Sequence, residues 1–146
     1  MTKYIYILIL FKSINLNAQK QIKWDIGFKK NENLIVFKAT ILDGWHLYAA
    51  YLPNPNQGPL PTLFTFNKSK KFILKDSIVQ QPPIIEYDKN FGVELAFYEK
   101  KSIFFQKIEA FKKKIKISGN INYMTCNETM CIPYDLPFEI KINQQD

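Results

Sequence analysis

The chain has 146 residues, 47% of them hydrophobic and 15% aromatic, which suffices for one packed domain and excludes a disordered tail. Its formal charge is +7, and all 20 basic residues are lysine. Nucleic-acid readout leans on arginine forks for guanine and phosphate, so no nucleic-acid partner is expected, and the run Lys112-Lys113-Lys114 reads as solvated surface.

Lys3 precedes an apolar run from Tyr4 to Phe11, and Ala18 stands before a polar stretch. A positive start, a short apolar stretch and a small residue describe a secretory signal, too short to span a bilayer. Cleavage after Ala18 is expected, with residues 1–18 as signal and residues 19–146 as one exported, soluble, periplasmic domain in which a disulfide persists. Loss of Lys3 and Lys12 with that segment lowers the formal charge from +7 to +5.

Beyond it the hydrophobic period is two. Ile22, Trp24, Ile26 and Phe28 alternate with polar neighbours, then Ile35, Phe37, Ala39 and Ile41. Trp45, Leu47 and Ala49 follow an Asp43-Gly44 turn, and Leu63 to Phe66 follows a proline-rich stretch. Val93, Leu95 and Phe97 form a further apolar face, followed by Ile103-Phe104-Phe105. Ile115, Ile117, Ile121 and Tyr123, and finally Leu136, Phe138, Ile140 and Ile142, complete the set. Seven to nine short strands separated by turn residues predict an all-β sandwich or barrel.

The chain's two cysteines, Cys126 and Cys131, flank Asn127-Glu128-Thr129-Met130, the length of a four-residue hairpin loop. Across such a hairpin their Cα atoms stand ~4.5 to 5.5 Å apart, within disulfide reach. Strand alternation puts both on the face opposite the core. A bridge closing a six-residue ring stabilises by only about 2 kcal/mol, so it is a weak staple and an exchange site. A structural clip on a non-catalytic binding module is the other reading, with Tyr51, Tyr87 and Tyr134 as binding aromatics. His46 is the chain's only histidine, which leaves a tetrahedral metal set short of a ligand. Ile132 after the second cysteine rules out haem attachment, and neither metal nor other cofactor is expected.

Five stretches in order resemble the N-terminal periplasmic domain of the thiol:disulfide interchange protein DsbD. They are Trp24, Asp43-Gly44-Trp45-His46-Leu47-Tyr48, Gly58-Pro59-Leu60-Pro61-Thr62, Tyr87-Asp88-Lys89-Asn90-Phe91-Gly92, and Gly119 to Cys126 with Cys131-Ile132-Pro133. The resemblance implies an immunoglobulin-like β-sandwich whose Cys126 and Cys131 exchange disulfides. It implies electrons received from a membrane-embedded thiol reductase, DsbD- or CcdA-like. Exported thioredoxin-like proteins, cytochrome-maturation thioredoxins among them, would be the acceptors. It also implies a cap in which Phe91 shields the pair, with Tyr48, His46 and Asp88 beside it. Lys89-Asn90 stands where the family carries an acidic pair, and His46 where it carries an aromatic. The order expected for the exchange is attack by Cys126 and resolution by Cys131.

Overall fold

The computed structural model describes residues 20–143, so the expected signal segment 1–18 lies outside the described residues. Ten strands follow one another in the chain. They are β1 (Ile22–Lys29), β2 (Leu34–Ile41), β3 (His46–Tyr48), β4 (Leu63–Phe66) and β5 (Phe72–Gln80). The rest are β6 (Ile84–Asp88), β7 (Val93–Tyr98), β8 (Lys101–Ala110), β9 (Lys114–Cys126) and β10 (Cys131–Asn143). Among the described residues the helical element is one 3-10 turn, Lys30–Glu32, and no helix is long and apolar enough to cross a membrane.

The strands form two antiparallel sheets, ordered β1-β2-β8-β5 and β10-β9-β3-β7-β6, with β4 also pairing β9. This is a sandwich, one of the two architectures that the period of two predicts, and it is immunoglobulin-like, as the resemblance implies. Its interior takes Ile35, Phe37, Phe104 and Ile108 from the first sheet and Leu47, Ala96, Tyr98, Ile117, Ile121 and Phe138 from the second. Trp24 bridges the layers, its ring 5.9 Å from Phe64 and 5.6 Å from Tyr123. Phe37 and Phe104, fully buried in this interior, each stabilise by roughly 1.5–3 kcal/mol relative to exposure.

Two strands, β5 and β6, carry no alternation and escape the sequence reading. Both are sheet edges, and their apolar side chains Ile73, Leu74, Val79, Ile84 and Ile85 remain exposed. β5 also shifts register between Lys75 and Val79. There the buried Gln106 amide donates to the Lys75 and Asp76 carbonyls (3.0 and 3.3 Å), holding a bulge that turns the edge away from regular pairing.

The face of β7 differs from the expectation too. Ala96 and Tyr98 point into the sandwich, whereas Val93, Leu95 and Phe97 point to the other side of the sheet. An alternating strand reads the same whichever face is covered, and here both are.

Candidate functional site

β9 and β10 are paired over their full thirteen residues, and Cys126 lies directly opposite Cys131 at the end of the ladder. The four-residue loop closes on itself. The Asn127 N–H donates to the Met130 carbonyl (2.9 Å), and Asn127 Oδ1 accepts from the N–H groups of Thr129 and Met130 (both 2.9 Å). This side-chain-built turn fixes the two cysteines with Cα atoms 4.1 Å apart, a little closer than expected, and they are joined as a disulfide.

The two sulfurs occupy unlike surroundings. Both residues lie off the main core, as alternation requires, but Cys126 is only 2% exposed while Cys131 is exposed. Cys126 belongs to a second apolar cluster on the outer face of the sheet, with Tyr48, Val93 and Leu95 at its centre and Leu52, Phe97 and Met124 against it. Alternation locates a side chain on a face; it does not reveal that another segment covers that face. Val93 and Leu95 share that face from β7, with β3 lying between β7 and β9, and loop residue Gly58 lies over Leu95 and Val93. Cys126, the thiol expected to attack first, is thus the buried member of the pair, and Cys131 is the exposed one.

β3 supplies the flanking pair. His46 lies opposite Cys126 in the β3–β9 ladder, and Thr125 Oγ1 donates to the His46 carbonyl at 2.9 Å. Two residues on, Tyr48 shares its face; the His46 Nε2 and Tyr48 hydroxyl are 3.0 Å apart. The His46 ring also packs 5.1 Å from Phe97. Burial lowers the His46 pKa, opposed by the charges of Glu99 and Asp88. Burial, helped by the Asp88 charge, pushes the Tyr48 hydroxyl up to about 12. A cleft of about 180 Å3 opens beside them, lined by His46, Glu86, Tyr87, Asp88, Leu95 and Phe97.

Asp88 has a structural task in the hairpin tip. Its Oδ1 accepts the N–H groups of Asn90 (2.7 Å) and Phe91 (3.0 Å), and its carbonyl accepts that of Gly92 (2.8 Å). Gly92 completes the turn at φ 71°, a left-handed conformation costly for other residues. Phe91 rides this turn and is 43% exposed. Of the residues expected around the pair, Tyr48 stands in the Cys126 cluster, together with Val93 and Leu95, which sequence reading did not single out. Of the aromatics considered for ligand binding, Tyr51 and Tyr87 are exposed, whereas Tyr134 is half-buried and stacks on Tyr123 at 5.1 Å. Among the described residues, no group of three or more His, Cys, Asp or Glu side chains gathers to hold a metal ion.

The arrangement suits exchange with a protein partner: one sulfur presented at a hairpin end, its mate held in an apolar pocket behind it. Two solved structures share the fold. The reduced N-terminal domain of DsbD from Neisseria meningitidis superposes with a TM-score of 0.63 at 16% identity, covering 88% of this chain and 91% of that one. A second structure, of the complex between the DsbD N-terminal and PilB N-terminal domains of the same organism, gives 0.62 at 15% identity over 86% and 87%. No curated protein sequence matches the chain. The family profile described as thiol:disulfide interchange protein DsbD, N-terminal, matches residues 15–140. With a paired-cysteine hairpin on an immunoglobulin-like sandwich and that match over most of its length, the chain belongs to the family of DsbD N-terminal domains, thiol:disulfide exchange modules.

Proposed function

We propose that the chain is a periplasmic thiol:disulfide oxidoreductase module that relays electrons from a membrane-embedded thiol reductase to exported thioredoxin-like proteins. The observation that carries the reading is the asymmetry of the disulfide, with Cys126 2% exposed and Cys131 exposed at a hairpin end. The Neisseria DsbD N-terminal domain, whose fold this chain shares, has been captured in complex with a PilB domain, which supports docking to another protein.

In the reduced module the Cys131 thiolate attacks one sulfur of the acceptor's disulfide, and the other acceptor sulfur leaves as a thiolate. The Cys126 thiol then loses its proton and attacks the Cys131 sulfur. The mixed disulfide breaks, the second acceptor thiolate departs, and the Cys126–Cys131 bond reforms. Two electrons have passed to the acceptor, whose two thiolates take up the Cys126 proton and one from water. Reduction by the membrane donor runs the same steps in reverse. The β6–β7 hairpin, with Phe91 at its tip and Tyr48 and His46 beneath, keeps small oxidants from the buried sulfur between encounters.

Trapping tests the order. Cys126→Ala should accumulate a mixed disulfide with a thioredoxin-like acceptor through Cys131, and Cys131→Ala should not. The opposite pattern would restore Cys126 as the attacking thiol.

A further inference from the structure

Far from the disulfide, the sandwich ends in a dense basic pole. The β4–β5 loop carries Lys68, Lys70 and Lys71, and the β8–β9 connection carries Lys112 and Lys113 and leads into Lys114. Long-range pairing brings these segments together. The Phe111 N–H donates to the Lys71 carbonyl (2.8 Å), and Phe72 pairs with Ala110 across the first sheet. Lys116 and Lys141, paired across β9 and β10, extend the patch. With Lys71 and Lys114 they line a shallow groove of about 330 Å3 floored by Ile115 and Ile142. Glu139 offsets the charge of Lys116 at 2.7 Å and Glu109 that of Lys75 at 2.6 Å, so the field of the pole is set by the two loops with Lys114 and Lys141. At the tip, next to the lysine triplet, Phe111 is 50% exposed.

We infer that this pole docks on an anionic lipid surface. Like-charged lysines crowded on one end repel one another, and a surface rich in anionic headgroups relieves that repulsion through its potential, without needing a shaped site. Lysine suits this attraction because it acts as a compact point charge, whereas fork-shaped recognition of phosphate or guanine calls for arginine. An exposed phenylalanine flanked by lysines has the composition of an interfacial anchor, the ring entering the headgroup boundary while the ammonium groups stay at the phosphates. A single exposed ring gives no stacking platform for successive bases, which disfavours single-stranded nucleic acid.

The geometry sets an orientation. β9 runs from Lys114 at this pole to Cys126, so the disulfide stands roughly 40 Å from the lipid surface at ~3.3 Å per residue. The docked domain presents its disulfide to exported acceptors and must tip over to meet thiols at the bilayer. The inference stands apart from the exchange chemistry and survives its failure.

Vesicle co-sedimentation of the oxidised chain tests it. Vesicles of about one-third phosphatidylglycerol in phosphatidylcholine should bind the chain at least tenfold more tightly than pure phosphatidylcholine at about 0.1 M salt, with the difference fading near 1 M. Combined Lys112→Gln, Lys113→Gln and Lys114→Gln should weaken that binding by roughly tenfold to a hundredfold while leaving the thermal melting unchanged. Phe111→Ser should weaken it with the salt dependence unchanged. Equal binding to both vesicles, no loss in the triple variant, or tighter binding to a single-stranded oligonucleotide than to anionic vesicles would each overturn the inference.

Discussion

Reducing the Cys126–Cys131 bond should soften the fold without opening it. The bridge closes a ring of six residues, counting the cysteines, across a ladder that already holds thirteen residue pairs in register. Loop-closure entropy for so small a ring gives about 2 kcal/mol. With an unfolding entropy of ~2.1 cal/mol/K per residue over the folded domain, that energy corresponds to a fall in Tm of ~8 °C. The same 2 kcal/mol must appear in the bond, because folding and bond formation are linked. The folded hairpin holds the disulfide ~45 mV more reducing than the unfolded chain does. That is a small shift, and it leaves the pair exchangeable. Calorimetry of the oxidised chain against the chain held reduced by a phosphine measures the first quantity, and equilibration in glutathione buffers with and without denaturant measures the second. A fall in Tm beyond about 20 °C, or loss of the cooperative transition, would show that the disulfide staples the fold and would refute the ring-size reasoning.

Other perturbations bear on the site and its frame. Gly119→Ala should destabilise by roughly 2–4 kcal/mol in denaturant unfolding, because a Cβ there would run into the Thr65 backbone carbonyl where β4 pairs with β9. Leu95→Ala should cost about 2–4 kcal/mol and also speed peroxide oxidation of the reduced pair, since Leu95 packs in the cluster that buries Cys126. Phe91→Ala, at an exposed turn, should leave stability within about 0.5 kcal/mol yet speed reoxidation; an unchanged rate would remove Phe91 from the shield. The pKa of His46 is lowered by burial, so the unfolded chain takes up that proton first as pH falls. Its contribution to stability is full above pH 6.5 and declines as pH drops from there through the folded-state pKa. His46→Phe should flatten that part of the stability profile relative to the parent chain, and an unchanged slope would place the titration elsewhere.

What the sequence revealed, and what it hid, follows from what each residue type reports. Ile35, Phe37 and Ala39, or Ile117, Ile121 and Tyr123, stand on strands with one face in the core, so their period is visible in the letters alone. β5 and β6 are edges with little burial, and burial is what writes a pattern into a strand. The hairpin at Cys126–Cys131 could be read from loop length, and its register is as expected. The inequality of the two cysteines could not. It depends on Val93 and Leu95, some thirty residues upstream, packing with Cys126 on a sheet face that alternation marks only as outward. The resemblance places Asp88 beside the cap, and only the hydrogen bonds of the turn show it acting as the brace of the hairpin tip.

The ladder between β3 and β9 joins residues eighty positions apart, His46 with Cys126. A chain made from its N-terminus can complete the first sheet only once β8 has emerged, and β3, which can meet β7 earlier, must wait longer still for β9. Contacts of such large sequence separation form late and slowly. The pocket that receives Cys126 is therefore assembled only after β9 is made, later than every strand of the first sheet.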